Sequence, residues 1–175
     1  MEQFTTEQEQ KEFLNDVREI AKKAFWDSIY EKIEQQDFSS IISILHDIKN
    51  RLLGLIPNNN KIINEINNEL DIDLIKQQLE NNAFDCNDFL TMFDCFCKWI
   101  LFLGSPAWDN TTKSFRNSIH NGVKEEGYVK MLKYALDGLN DAITITEYEV
   151  EDFRKRLKEQ EEQEKKEKQD KNIII

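Results

Sequence analysis

The chain has 175 residues, 39% hydrophobic and 33% charged, with a net charge of −11. That length supports one domain with an ample core, and an acidic field of this size repels nucleic-acid phosphates and anionic membrane surfaces. Five glycines and two prolines leave few tight turns, which argues against a sheet built from hairpins.

From Glu7 to Glu34 the apolar residues Phe13, Leu14, Val17, Ile20, Ala21, Ala24, Phe25, Ile29 and Ile33 recur every three or four positions. This spacing predicts an amphipathic helix, capped at its start by Thr5 or Thr6. A second helix is expected from Asp37 through Ile41, Ile42, Ile44, Leu45, Ile48, Leu52 and Leu55, ended by Gly54 and Pro57. PNNNK (57–61) reads as a loop. Ile62, Ile63, Ile66 and Leu70 then mark a short third helix.

The segment DIDLIKQQLENNAFD (71–85) is the most site-like stretch. An EF-hand loop beginning at Asp71 needs Gly at its sixth position and Glu at its twelfth; Lys76 and Asn82 stand there. Paired catalytic carboxylates need a substrate-sized gap, and Asp71 and Asp73 are two residues apart and point differently on a helix. The structural reading is a short helix with Leu74, Ile75 and Leu79 inward. Asp71 or Asp73 accepts its free N–H groups, Lys76 and Gln77 lie three and four residues after Asp73, and Gln78 is partly buried.

NNAFD breaks that helix, and Asp85 with Asp88 looks like the cap of the next. Residues 87–103 are apolar nearly all round, the pattern of a central helix buried on several sides. A membrane span needs ~20 apolar residues, which this segment lacks, and it contains Asp94 and Lys98. After Gly104, Ser105 and Pro106 start a helix through Trp108, Phe115 and Ile119. HNGVKEEG (120–127) reads as a loop, and a long helix follows from Tyr128 to about Phe153. TITEYEV alternates like a strand but has no partner strand, so it is assigned to that helix. From Arg154 the chain is almost wholly charged, the pattern of a solvated helical or disordered tail, and NIII (172–175) is expected to be loose. The expected architecture is an all-α, single-domain irregular bundle of six to seven helices over residues 1–153, with a charged tail at 154–175.

Three cysteines, Cys86, Cys95 and Cys97, fit a reduced intracellular compartment, as does a start without a basic and apolar leader. Cys95 and Cys97 point ~200° apart on a helix, and Cys86 and Cys97 are ~16 Å apart along one, so a shared metal is not expected. The thiols are expected to be buried and inert. His46 reads as a partly buried histidine and His120 as a cation at a helix end. No nucleophile elbow, glycine-rich phosphate loop or zinc-binding H-E-x-x-H occurs, so neither an enzyme nor a cofactor is expected.

Four stretches carry a family resemblance: AFWD (24–27), SIISILHDIKNRLLGLIP (40–57), LDIDLIKQQLENNAFD (70–85) and SPAWD (105–109). Together they resemble the T-complex protein 11 family over roughly residues 24–150. Phe25, Trp26 and Asp27 match its start. Asp71, Asp73, Leu74, Ile75, Gln77 and Gln78 match its Asp-x-Asp-Leu-Ile-x-Gln-Gln signature. Asp85-Cys86 and Ser105-Pro106 follow the pattern only loosely, and a charged tail stands where family members continue with further helices. The resemblance implies an all-helical regulatory protein with no catalytic residue to carry over. It also implies a link to signal transduction through cAMP and protein kinase A, and in animals to sperm flagella. The expected role is a cytoplasmic adaptor, flagellum- or cytoskeleton-associated in the structural alternative, that docks protein partners rather than nucleic acid or membrane. The signature residues Asp71, Asp73, Lys76, Gln77 and Gln78, with Trp108, are its candidate contact positions.

Overall fold

The computed structural model describes residues 7–173, and side chains from residue 8 to 165. Seven α-helices and one 3-10 turn make up its regular structure, and the described residues contain no strand. They are α1 (Glu7–Glu34), α2 (Ser39–Gly54), α3 (Asn60–Glu69), α4 (Ile72–Glu80), α5 (Cys86–Leu103), the turn Pro106–Trp108, α6 (Asp109–Glu126) and α7 (Tyr128–Ile173). The proposed Thr5/Thr6 cap and the last two residues lie outside the described part.

Helix α5 is the core, as its all-round apolar pattern predicts. Phe89, Phe93 and Phe96 are fully buried, and Met92, Cys97, Trp99 and Ile100 are buried around them. Spacings of four and three residues put the phenylalanines on one helix face. Phe93 meets Phe115 of α6 edge-on at 5.4 Å, and Phe89 stacks near Tyr128 of α7 at 5.7 Å. The helix begins with a capping box: Asp85 accepts from the N–H groups of Asn87 and Asp88, and Asp88 accepts from the N–H of Asp85. Leu132, Ala135, Leu136, Leu139 and Ile143 of α7 close the core on one side, and Leu45, Ile48 and Leu52 of α2 contribute to the same cluster.

Four expectations are corrected. HNGVKEEG is not a loop. Ile119 and Val123, four residues apart, are both buried, and that packing carries α6 through Gly122 to Glu126. The break falls at Gly127 alone, whose φ of +84° is a conformation that side chains with a Cβ rarely adopt. In α4, Leu74 points outward at 51% exposure and Ile72 takes the buried position with Ile75 and Leu79. His46 is exposed on α2 rather than partly buried. Cys86 is exposed, whereas Cys97 is buried and Cys95 half-buried.

Helix α1 departs furthest from expectation. Phe13, Leu14, Val17, Ile20 and Phe25 are 45–69% exposed, and only Trp26 and Ile29 are buried. At about 100° per residue, Trp26 and Ile29 lie on a different face from Phe13, Val17 and Ile20. The sequence therefore carries two apolar faces, and only the one in the C-terminal half meets the bundle. Asp137 of α7 anchors that half, accepting from Trp26 Nε1 at 3.1 Å and pairing with Lys22 at 3.2 Å.

Helix α7 runs without a break from the core into the charged tail, so the tail is helical through Ile173. Its 46 residues make a rod of about 69 Å at 1.5 Å per residue. Thr146 is its last buried residue; Tyr148 and Phe153 are 74% and 55% exposed, and residues 151–165 are exposed throughout.

Candidate functional site

The signature segment folds as its sequence predicts at its start. Asp71 caps α4, accepting from the N–H of Leu74 at 3.0 Å, and Asp73 adds a negative charge in the first turn. Lys76 pairs with Glu80 at 3.9 Å rather than with Asp73. Gln77 is exposed, and its carbonyl accepts from the Asn81 side chain at 2.7 Å. Gln78 is half-buried and reaches Asp88 Oδ1 at 3.4 Å, which ties α4 to the cap of α5. Leu74, Lys76 and Gln77 are thus presented to solvent, while Asp71 and Gln78 have structural partners. Trp108 is 42% exposed on the 3-10 turn and lines a separate cleft, so the six candidate residues do not form one site.

Two polar clusters that local sequence reading missed lie along α5. Asp94 takes Arg116 of α6 in a two-pronged grip (Nε 2.6 Å, Nη2 2.5 Å), and His120 Nε2 lies 2.6 Å from the same carboxylate. His120 is therefore a hydrogen-bonding partner of Asp94 in the middle of α6, not a group at a helix end. Burial pushes the Asp94 carboxyl up, but the bonds from Arg116 and His120 outweigh it and leave it below its ordinary value. Glu69, at the end of α3, receives Lys98 Nζ (2.6 and 2.8 Å), Trp99 Nε1 (2.9 Å) and Cys95 Sγ (3.5 Å). The Lys98 bond holds Glu69 below the usual carboxylate range. An open groove of about 990 Å³ runs between the clusters. Apart from Glu65, its charged groups are already paired with one another, and its thiols are protonated at neutral pH. Burial, aided by Asp94, pushes Cys97 up to about 12, and burial with Glu69 does the same to Cys95. Among the described residues, no three His, Cys, Asp or Glu side chains converge as a metal site, and no helix is long and apolar enough to cross a membrane.

The cleft beside Trp108 differs in kind. It holds about 150 Å³ between α5, the 3-10 turn, α6 and α7. Its walls are Ile100, Trp108, Phe115, Gly138, Ala142 and Ile145, with Asp109, Asp141 and Glu149 also on the lining.

The family model described as T-complex protein 11 matches residues 2–141 of this sequence. The chain belongs to the T-complex protein 11 family. The match begins well before Phe25, so the exposed half of α1 lies within the T-complex protein 11 region. Against the human T-complex protein 11 homolog, the chain is 32% identical over 104 residues, 58% of this chain and 20% of that relative. Against the human T-complex protein 11-like X-linked proteins 1 and 2, it is 39% identical over 70 residues, 38% of this chain and 14% of each. These matches span a fifth or less of the relatives' length. No solved structure matches.

Proposed function

We propose that this chain is a non-enzymatic docking module of intracellular signal transduction, linked to cAMP and protein kinase A signalling by its family resemblance. The observation that carries the reading is the exposed face of α1, where Leu14, Val17, Ile20 and Phe25 are 60%, 45%, 69% and 50% exposed. Leu14, Val17 and Ile20 follow one another at three-residue spacing, the kind of apolar stripe that a helix-in-groove contact uses. Large apolar side chains exposed along one helix in this way mark an interaction site. Lys76, Gln77 and Trp108 are further contact candidates, because each is exposed.

The test is affinity capture from native cells with the intact chain and with a Leu14→Glu/Ile20→Glu variant. Loss of bound proteins at an unchanged melting temperature is the expected result. Unchanged capture rules out α1 as the docking face. Recovery of protein kinase A subunits is the specific test of the cAMP link, and a capture set that lacks them removes it.

A second reading is a cytoskeletal or flagellar component that uses the tail as an extended helix. It is favoured by one observation, the unbroken run of α7 into the charged segment. Deleting residues 155–175 separates the two readings. Lost localisation with retained partner binding supports the structural role.

A further inference from the structure

The cleft beside Trp108 has the dimensions and lining of a receptor for one side chain. Its volume is about 150 Å³. A cavity of roughly that size lined by aliphatic and aromatic groups accepts a benzene-sized guest. The walls come from four elements, with Ile100 from α5, Trp108 from the 3-10 turn, Thr112 and Phe115 from α6, and Ala142 and Ile145 from α7. Gly138 lets α7 approach Phe115 closely at the lining: a Cβ there would fall 2.2 Å from the ring. Trp108 contributes a large apolar surface that is only partly covered.

The lining also carries a sign. Asp109 is offset by Lys113 at 3.5 Å. Glu149 accepts from an uncharged partner, the N–H of Ser105 at 3.2 Å. Asp141 is exposed, and the nearby cation Lys22 makes its bridge to Asp137 instead. Two carboxylates, Asp141 and Glu149, therefore border an apolar hole one turn of α7 either side of Ile145. A neutral or acidic visitor gains only the hole. A visitor with an apolar side chain and flanking cations gains both.

We propose that this cleft binds the aromatic or large aliphatic anchor of a partner peptide in which Lys or Arg flanks the anchor. The inference rests on the docking reading above but uses a different face of the molecule from α1. The anchor fills the hole, as buried aromatic anchors do in protein interfaces. Its neighbours lie against Asp141 and Glu149.

The full chain is titrated with three blocked tripeptides, acetyl-Lys-Phe-Lys-amide, acetyl-Glu-Phe-Glu-amide and acetyl-Lys-Ala-Lys-amide. Binding is read from NMR shifts of the Trp108 indole N–H and the Ile145 methyls. The Lys-Phe-Lys peptide is expected to saturate at least tenfold below the other two. Ala142→Leu, which fills the hole, is expected to abolish saturation, and Ile145→Trp provides a second plug should the first fail to fold. Asp141→Asn with Glu149→Gln is expected to keep binding of the ring but equalise the lysine and glutamate peptides. Equal binding of those two peptides by the unaltered chain overturns the proposal. So does equal binding of Lys-Ala-Lys, or shifts that map away from the cleft. Self-association of the free chain that Ala142→Leu abolishes assigns the cleft to a second copy and also overturns it. The α1 variant tests docking independently, because none of its substitutions lines this cleft.

Discussion

Arg51 of α2 grips Glu147 of α7 through two hydrogen bonds, Nε to Oε1 at 2.9 Å and Nη2 to Oε2 at 2.6 Å. The same guanidinium donates to Asn140 at 2.6 Å and to Thr144 at 2.8 Å. One planar fork thus spans two turns of α7 and fixes how α2 lies along it. Arg51→Met removes all four bonds while keeping much of the apolar stem. Both partners are partly exposed, so water takes over some of the lost interaction. The expected loss is about 1–2 kcal/mol, measured by urea denaturation. Arg51→Lys should recover little, because an ammonium cannot reproduce the fork.

The same pair sets a pH dependence. The Arg51 bond holds Glu147 below its ordinary value, and the Lys98 bond does so for Glu69. A carboxylate depressed in the folded state contributes stability that is present above its unfolded pKa, and that stability is lost as pH falls through the folded one. Melting temperature is therefore expected to fall on acidification below the ordinary glutamate value of 4.5. In Arg51→Met the Glu147 share of that slope should vanish. An unchanged slope in the variant would remove Glu147 from the account.

Much of this architecture is legible in the sequence because it is local. Asp71 and Asp85 announce helix starts through side chains that bond within three residues. The Phe89, Phe93 and Phe96 spacing announces a core helix. The missed features need tertiary information. Asp94 lies 22 and 26 residues from Arg116 and His120 and meets them only because α5 and α6 pack together. Periodicity located the apolar residues of α1 but could not tell which of its two faces would be covered. Gly122 inside HNGVKEEG resembled a turn, although burial of Ile119 and Val123 outweighs the roughly 1 kcal/mol that a helical glycine costs. The family signature was legible as a pattern, yet only the fold separates its capping Asp71 and bridging Gln78 from the exposed Leu74, Lys76 and Gln77.

Those exposed signature positions give a clean contrast. Lys76→Ala with Gln77→Ala removes one exposed pair at 3.9 Å and no buried contact. Stability should stay within about 0.5 kcal/mol of the parent chain. Weakened partner capture at that stability makes α4 part of the docking surface. A lower melting temperature with intact capture makes these residues structural.

The cysteines should divide by reactivity. Cys86 is exposed, whereas burial keeps the Cys95 and Cys97 thiols protonated, each pushed up to about 12. Because the thiolate is the reacting species, iodoacetamide at neutral pH should modify Cys86 first and the other two only on unfolding. Mass spectrometry of native and urea-unfolded samples checks this. Rapid native labelling of Cys97 would mean that α5 opens far more readily than its packing implies.

Gly138 offers the sharpest test of the α6–α7 contact. In a helix, Gly→Ala ordinarily gains about 1 kcal/mol. Here the new Cβ would lie 2.2 Å from Phe115 Cζ and 2.5 Å from its neighbouring ring carbon. The ring cannot retreat freely, because it packs edge-on against Phe93 at 5.4 Å. Overpacking of this kind costs about 1–3 kcal/mol, so Gly138→Ala should destabilise the chain despite its better helix propensity. Phe115→Leu should destabilise on its own through lost ring contacts. If the clash is the cause, the double variant will be more stable than the sum of the two single losses. Simple additivity in denaturation midpoints would show that Phe115 and Gly138 do not bear on one another.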